Sequence, residues 1–232
     1  MAKSNKAPAF HQPMLFDTSS PQSAQMAAVT PDPVTPAVPV PIAALAPPST
    51  NSSPNPGDLV VLVDSHSLIY QVFHALPPMT SPHGVEVGAV HGFLRDVSTL
   101  LQQWNPTYLI CAFDASEETF RNKLYPEYKA HREGMPDALR GQIGLIQQAL
   151  ELLGIPILSI GGFEADDILA TLAHRASNNN ARVLLVTSDK DCRQLINPHV
   201  SMLNIRKNEL FGKKELMETW AIHPEQVVDF QA

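Results

Sequence analysis

Four apolar segments of this chain each end at an acidic residue or an acidic cluster, and this repetition constrains the fold more than any other feature. The segments at 59–63, 108–113, 155–160 and 183–187 are apolar, which is typical of strands buried on both faces of a parallel sheet. Segments with helical spacing of apolar residues separate them. Strands that alternate with helices predict an α/β fold, a mostly parallel sheet flanked by helices.

The acids at the strand ends predict a binding site. In a parallel α/β sheet the ligand site lies beyond the carboxyl ends of the strands, so we expect these acids to share one edge. A cluster with oxygen donors alone suits a hard cation, Mg²⁺ or Mn²⁺. Mg²⁺ takes few carboxylates per ion, so this many acids suit two ions, which can activate a water and stabilise the leaving oxygen of a phosphodiester. The predicted metal ligands are Asp64, Asp114, Glu164, Asp166, Asp167, Asp189 and Asp191.

The acidic cluster at 161–167 has a simpler alternative interpretation, an acidic helix start with solvated side chains, because the helix dipole favours carboxylates there. Repetition at four strand ends favours the metal site. Two other classes with acidic strand ends fit less well. A phosphotransfer receiver domain needs a later strand-end lysine and only a small acidic pocket, and a haloacid-dehalogenase-type phosphatase needs a nucleophilic Asp-x-Asp where this chain has Asp64-Ser65-His66.

Composition excludes several classes of protein. No apolar run approaches the ~18 residues that span a membrane, and the N-terminus lacks the apolar core of a secretory signal, so the predicted location is cytoplasmic, without membrane attachment. The two cysteines, Cys111 and Cys192, are far apart in apolar or helical surroundings, which predicts reduced buried thiols. A net charge of -7 argues against a generally basic nucleic-acid binder, but not against one with a metal-neutralised pocket and a local basic patch.

Residues 1–57 differ in composition from the rest of the chain. They hold 12 of the 21 prolines, with much alanine, serine and threonine, and cannot bury enough apolar surface to offset their ordering entropy. We predict a disordered tail at 1–57 and a folded domain at 58–232. One island in the tail, Gln12-Pro13-Met14-Leu15-Phe16, resembles the peptide by which bacterial replication and repair proteins dock on the sliding clamp, through Gln12, Leu15 and Phe16. The alternative is a chance cluster in a linker.

A basic segment follows the second strand. Basic residues mixed with aromatic ones suit a surface that threads a nucleic-acid strand or grips its phosphates. The alternative is a solvated helix face, the usual explanation of a run of charges. The residues concerned are Phe120, Arg121, Lys123, Tyr125, Tyr128, Lys129, His131, Arg132 and Arg140.

Taken together, these motifs resemble, in order and spacing, the 5′-3′ exonuclease domain of bacterial DNA polymerase I, a member of the flap endonuclease group with a PIN-like fold. The resemblance covers roughly residues 58–232. It is carried by Leu62-Val63-Asp64 with Tyr70 and Phe73-His74-Ala75, by Phe113-Asp114, Phe120-Arg121 and Tyr128-Lys129-Ala130-His131-Arg132, and by Glu164-Ala165-Asp166-Asp167 and Asp189-Lys190-Asp191 with Gln194-Leu195.

The resemblance implies a PIN-like 5′-nuclease core and a role for each matching residue. The first metal would be held by Asp64, Asp114, Glu164 and Asp166, and the second by Asp189 and Asp191 together with Asp166, while Asp167 would act behind the ligands. Tyr70 would stack on the base near the scissile phosphate. The residues that draw in the 5′ end and steady the transition-state charge would be Arg121, Lys129 and Arg132, so the implied catalytic set is Asp64, Asp114, Arg121 and Lys129.

Three departures from the family pattern bear on the function. Ser65 and Gln71 stand where the family has glycine and a phosphate-binding arginine. The family continues past Asp229-Phe230 into further metal ligands and a helix-hairpin-helix that grips the duplex, so the second metal site is expected to be incomplete.

The resulting hypothesis is a metal-dependent 5′-3′ exonuclease or 5′-flap endonuclease of replication and repair, acting on DNA with 5′ ends or flaps and on RNA-primed DNA. The alternatives are a weakly active or inactive nucleic-acid-binding fragment and a PIN-type ribonuclease. The long basic segment after Asp114 favours the first interpretation over the ribonuclease.

Overall fold

A computed structural model describes residues 53–115, 118–131 and 134–232. Its sheet has six strands: β1 (Leu59–Asp64), β2 (Tyr108–Ala112), β3 (Ile157–Leu158), β4 (Arg182–Val186), β5 (Val200–Asn204) and β6 (Glu209–Phe211). Their spatial order is β3-β2-β1-β4-β5-β6, and every neighbouring pair is parallel except β5 with β6. The prediction of a mostly parallel α/β sheet is confirmed.

The helices within the described ranges connect and cover these strands. They are α1 (Ser65–Ala75), α2 (Gly88–Trp104), α3 (Phe120–Leu124), α4 (Asp137–Leu152), α5 (Ala165–Asn178), α6 (Lys213–Trp220) and α7 (Val227–Gln231), with 3-10 helices at Lys190–Leu195 and Pro224–Gln226. None of them offers the length and the apolar character that crossing a bilayer requires.

The position of β1 in the interior of the sheet explains why its sequence is continuously apolar. Neighbours in a strand point to opposite faces, so Val61 and Val63 join the core beneath α1, α2 and α4, while Val60 and Leu62 join the core beneath α5. Four of the six residues of β1 are at most 3% exposed. Because helices cover both faces, an alternating polar pattern would place polar groups in a core.

The N-terminus of α2 is capped by a side chain from another helix, α4. The residue before the helix, Val87, offers no capping side chain. Instead Gln142 on α4, only 4% exposed, accepts a hydrogen bond from the Ala89 N–H at 2.8 Å and donates one to the Ala138 carbonyl at 2.9 Å. A free N–H of the first helical turn is thereby satisfied inside the protein, which joins α2 to α4.

A buried ion pair joins α2 to the turn between β5 and β6. Asp96 on α2 is 5% exposed, and the Arg206 guanidinium lies 3.1 and 3.2 Å from its two carboxylate oxygens. The Arg95 guanidinium is further away, at 3.7 Å. Burying a charge is costly unless it is paired, so Arg206 makes the position of Asp96 tolerable.

The predicted third strand at 155–160 is shorter in the structure, where only Ile157–Leu158 pairs with β2. This strand forms one edge of the sheet, and Pro156 directly before it has no N–H to donate. The predicted disordered tail falls mostly on residues 1–52, outside the described residues, so the boundary at residue 57 stays a prediction.

Candidate active site

Five of the seven predicted metal ligands lie around one cavity at the carboxyl edge of the sheet. The cavity has a volume of about 1290 Å³. Each acid reaches it from the end of a different strand or from the helix that follows, as the parallel topology requires. The five are Asp64 at the end of β1, Asp114 after β2, Glu164 and Asp166 at the start of α5, and Asp189 after β4.

Asp64 ends β1 and caps α1. Its carboxylate accepts a hydrogen bond from the Ser67 N–H at 3.0 Å and another from the Thr187 hydroxyl at 2.9 Å, which ties β1 to the end of β4. Burial nevertheless raises the pKa of Asp64 to about 6, with the negative charges of Asp114 and Asp189 adding to the effect. This carboxylate is therefore held where its negative charge is poorly solvated.

Asp114 is fixed from two sides. One carboxylate oxygen accepts a hydrogen bond from the Ala165 N–H at 2.7 Å, at the start of α5. The Asp114 N–H donates to Nδ1 of His66 at 3.1 Å, which makes that ring nitrogen an acceptor. Burial lowers the pKa of His66 although the charge of Asp114 opposes the shift, so burial favours the neutral ring. Sequence reasoning gave His66 no role, and its position two residues after a strand-end acid is the only signal.

At the N-terminus of α5, predicted basic residues form ion pairs with predicted acidic residues. Arg121 donates two hydrogen bonds to Asp167, at 2.7 and 2.8 Å, and lies 3.5 Å from Glu164. These bonds lower the pKa of Asp167, and neither Arg121 nor Asp167 lines the cavity. Asp167 also accepts from the Glu164 N–H, so it braces the helix start from behind the ligands.

Lys129 occupies the cavity side of the same helix start. Its ammonium lies 2.8 Å from the Glu164 carboxylate, to which Tyr128 also donates a hydrogen bond at 3.1 Å. Burial opposes the charged form of Lys129, but the hydrogen bonds with Glu164 and Tyr128 outweigh it and raise its pKa. Lys129 has a φ of 57°, in the left-handed region that a lysine rarely adopts.

Asp166 differs from its neighbours because one of its carboxylate oxygens, Oδ1, is buried without a hydrogen-bond partner. Burial raises the pKa of Asp166, and the charges of Asp167 and Glu164 add to the shift. An unpaired buried carboxylate oxygen beside other carboxylates is a site that a cation would stabilise.

Asp189 and Asp191 bracket the start of the 3-10 helix at Lys190–Leu195. The Asp189 carboxylate accepts from the Asp191 N–H at 2.9 Å. Asp191 does not line the cavity, and one of its oxygens accepts a hydrogen bond from the side chain of Gln231 on α7 at 2.9 Å. Sequence reasoning did not identify Gln231, since nothing local in the sequence relates it to Asp191.

The acids of the cavity fit a hard divalent cation, since they supply oxygen donors and Asp166 has an unpaired oxygen, although the imidazoles of His66 and His74 also line the cavity. In the described parts of the chain, however, no three His, Cys, Asp or Glu side chains are grouped closely enough to hold one ion together. Glu164 and Asp167 are held instead by Lys129 and Arg121. Binding an ion would therefore require carboxylate side chains to turn toward one another.

The remaining predicted residues fall into two groups. Tyr70 lines the cavity together with Lys129, as does Gln71, whose side chain donates to the Ser67 carbonyl of its own helix at 3.1 Å. Arg140 also lines it. Four predicted residues lie outside the described residues, so their roles stay predictions: Arg132 of the basic segment, and Gln12, Leu15 and Phe16 of the clamp-docking island.

Replacing Asp64 by asparagine is expected to stabilise the metal-free protein at pH 8 by about 1–2 kcal/mol. Folding raises this pKa from 3.8 to about 6, so the stability that the protonated carboxyl contributes is complete below pH 3.8 and is lost as the pH rises through 6. The full shift corresponds to about 3 kcal/mol, which contact with water at this half-buried group reduces. Asparagine carries no charge at either pH, so it avoids the loss.

Thermal unfolding in EDTA at pH 4 and pH 8 measures this effect. At pH 8 the variant should unfold about 2–8 °C higher than the wild type, and the difference should shrink toward pH 4. Asp137→Asn, at a fully exposed carboxylate, is the matched control and should change little. A lower unfolding temperature for Asp64→Asn at pH 8 would contradict the prediction.

The sheet and the cavity together define the class of protein, a parallel α/β domain with a carboxylate-lined site at the carboxyl edge of its strands. The sequence profile of one family, the 5′-3′ exonuclease, N-terminal resolvase-like domain, matches residues 59–221. The chain belongs to this family, as the sequence resemblance implied.

Curated relatives share this part of the chain. It is 42% identical over 184 residues to DNA polymerase I of Rhizobium leguminosarum, covering 76% of this chain and 18% of that protein. It is 37% identical over 171 residues to the 5′-3′ exonuclease of Aquifex aeolicus, covering 74% of this chain and 59% of that protein. The chain thus spans less than two thirds of either relative.

Solved structures show the same fold. The T5 D15 protein co-crystallised with metal ions superposes with a TM-score of 0.60 at 20% identity, covering 73% of this chain and 64% of that one. The bacteriophage T5 D15 flap endonuclease, in a complex with DNA and metal ions, superposes with a TM-score of 0.57 over the same shares. The prediction of the fold of PIN-like 5′ nucleases is confirmed by these neighbours.

Proposed function

We propose that this protein is a metal-dependent 5′-3′ exonuclease or 5′-flap endonuclease that hydrolyses DNA phosphodiesters, including those at RNA primers, in replication and repair. Its family and the 5′-3′ exonuclease and DNA polymerase I among its relatives support this activity. Its substrates would be DNA with 5′ ends or flaps and RNA-primed DNA. The fold it shares with a T5 flap endonuclease crystallised with DNA supports that substrate class.

One observation carries the proposal: carboxylates from the ends of successive parallel strands line a single cavity beside Lys129 and Tyr70. So many acids around one cavity repel one another, and burial disfavours the ionised forms of Asp64 and Asp166. They suit a site whose charge is balanced on binding. A cavity of about 1290 Å³ also gives room for a nucleotide and its neighbours.

The metal would be Mg²⁺ or Mn²⁺, with two ions. The first ion would be held by Asp64, Asp114, Glu164 and Asp166, and the second by Asp189 and Asp191 with Asp166. When bound, such ions supply Lewis acidity toward a phosphodiester and lower the pKa of a water. The unpaired oxygen of Asp166 and the co-crystallisation of the T5 D15 protein with metal ions support this part of the proposal.

The other residues of the site would bind and orient the substrate. Tyr70 presents an aromatic ring to the cavity, on which a base can stack. Lys129 is the cation nearest the carboxylates on the cavity side, and once Glu164 turns to a metal its ammonium is available to a phosphate oxygen. Arg121, held by Asp167, would keep the basic segment against the start of α5.

The test is cleavage of a 5′-labelled flap duplex with Mg²⁺ or Mn²⁺, comparing the wild type with Asp166→Asn. We expect metal-dependent cutting that EDTA abolishes and that the variant lowers by at least about 10³-fold, since a metal ligand contributes to several kcal/mol of transition-state stabilisation. Circular dichroism should show the variant folded. Equal cutting by variant and wild type would refute the proposed role of the acidic cavity.

One observation favours a second candidate function, nucleic-acid binding without cleavage. No three acidic side chains in the described residues are arranged to hold an ion together, and Asp191 is turned toward Gln231. The same assay separates the two candidates. A folded protein that binds the flap duplex but leaves it intact in saturating Mn²⁺ would be a binding module.

A further inference from the structure

Two aromatic side chains beside the acidic cavity, Phe120 and Phe163, form an exposed pair that the proposed function does not use. They are 39% and 47% exposed, and their ring centroids lie 5.8 Å apart at an interplanar angle of 54°. Another exposed ring, Tyr125, lies on the same basic segment. Elsewhere in the described residues, the exposed ring of Phe230 is already stacked on Trp220 at 4.9 Å.

The pair is held rigidly although it is exposed. The Phe120 N–H donates to the Gly162 carbonyl at 2.9 Å, which joins the two segments that carry the rings. The Arg121 guanidinium lies 4.7 Å from the centroid of the Phe120 ring and is itself fixed by Asp167. A ligand that binds such a preorganised surface loses little free energy to ordering it.

The position of the pair relates it to the cavity. Phe163 directly precedes Glu164, the N-cap residue of α5, which lines the cavity, and consecutive Cα atoms are only about 3.8 Å apart. Neither ring lines the cavity, but the Arg121 guanidinium that lies 4.7 Å from the Phe120 ring centroid is also 3.5 Å from the carboxylate of Glu164, which does line it. A strand whose phosphate occupies the cavity would therefore have its neighbouring nucleotides near these rings.

We infer that Phe120 and Phe163 form a stacking site for an unpaired nucleobase of the strand that enters the cavity. This inference rests on the proposed function and deepens it. The cation in contact with the pair, Arg121, is already neutralised by Asp167, so what the pair itself offers a ligand is the exposed part of its two rings. Ring faces stack with any base, so the site accepts single-stranded nucleic acid without regard to sequence.

The test uses a duplex with a single-stranded 5′ tail that carries 2-aminopurine, whose fluorescence falls on stacking, in EDTA so that nothing is cut. Three replacements at Phe163 separate the aromatic from the apolar contribution: alanine, leucine and tryptophan. Phe163→Ala and Phe163→Leu should each weaken binding of the tailed duplex about tenfold and abolish the quenching, while affinity for a blunt duplex stays unchanged. Phe163→Trp should preserve both signals.

The control is Leu152→Ala, which removes a 90% exposed apolar side chain at the end of α4 and should change neither signal. If Phe163→Ala fails to fold, Phe163→Leu keeps the apolar volume and decides the question alone. If Phe163→Leu binds the tailed duplex as tightly as the wild type does, the stacking site is overturned. That result would favour an apolar protein segment as the occupant of this surface. It would leave the proposed nuclease function unaffected. Absence of any binding of the tailed duplex by the wild type would also overturn the inference, while the proposed function is decided separately by the cleavage assay with Mg²⁺ or Mn²⁺.

Discussion

Replacing Lys129 by methionine is expected to slow cleavage by about 10²–10³-fold and, at the same time, to tighten the binding of divalent metal about fivefold. The two effects have opposite directions because Lys129 has two partners in the proposed cycle. Without metal its ammonium pairs with Glu164 at 2.8 Å. With metal and substrate bound it would face a phosphate oxygen, and the loss of one such donor typically costs 10²–10³ in rate.

The gain in metal affinity follows from competition for one carboxylate. Glu164 cannot serve the ammonium and an ion with the same oxygen, so an ion that takes this oxygen as a ligand has to displace Lys129 first. The Lys129 side chain is 31% exposed, so water weakens the pair and leaves about 1 kcal/mol to gain. That free energy corresponds to about fivefold in affinity.

The measurement is the cleavage rate as a function of Mg²⁺ concentration, with Mn²⁺ binding followed separately by calorimetry. Lys129→Arg, which keeps the charge, should retain more of the rate than methionine does. Lys123→Met removes an exposed lysine from α3 and serves as the matched control, with both quantities near the wild-type values. Weaker metal binding by Lys129→Met would show that the lysine does not compete with the ion.

Replacing Arg206 by methionine is expected to destabilise the fold by about 2–4 kcal/mol and to lower the unfolding temperature by about 4–15 °C. The variant leaves the Asp96 carboxylate buried with only the more distant Arg95 as a partner. Removing one partner of a buried ion pair costs more than removing both, because the remaining charge keeps its desolvation penalty.

The double variant Asp96→Leu with Arg206→Met provides the comparison. It removes both charges, so it should recover at least half of the stability that the single variant loses. Lys214→Met breaks an exposed ion pair with Glu218 and should change the free energy of unfolding by less than about 0.5 kcal/mol. The proposed role of the pair is wrong if Arg206→Met unfolds within 1 °C of the wild type.

The sheet and the gathering of acids at its edge follow from the sequence because they depend on local patterns and on a topological rule. An apolar, valine-rich run such as 59–63 is typical of a strand covered on both faces, and parallel strands bring their carboxyl ends to one edge. The sequence alone therefore places Asp64, Asp114 and Asp189 at a common site.

The pairing of side chains within the site does not follow from the sequence. Arg121 and Asp167 are 46 residues apart in the chain, and Gln231 and Asp191 are 40 apart. Such contacts depend on how helices pack on the sheet, which no local pattern determines. For the same reason the sequence gives no sign that Gln142 caps another helix.

The hydrogen bond between Asp64 and Thr187 joins residues that are 123 positions apart in the sequence. The paired residues of β1 and β4 have the same separation in the sequence. A ribosome therefore makes the first acid of the site long before it makes the strand that holds that acid in place. Until β4 is synthesised and pairs, Asp64 and Asp189 have no fixed relation. An unfinished or partly unfolded chain would thus lack the proposed nuclease activity, which is expected to appear in one step with the pairing of β4.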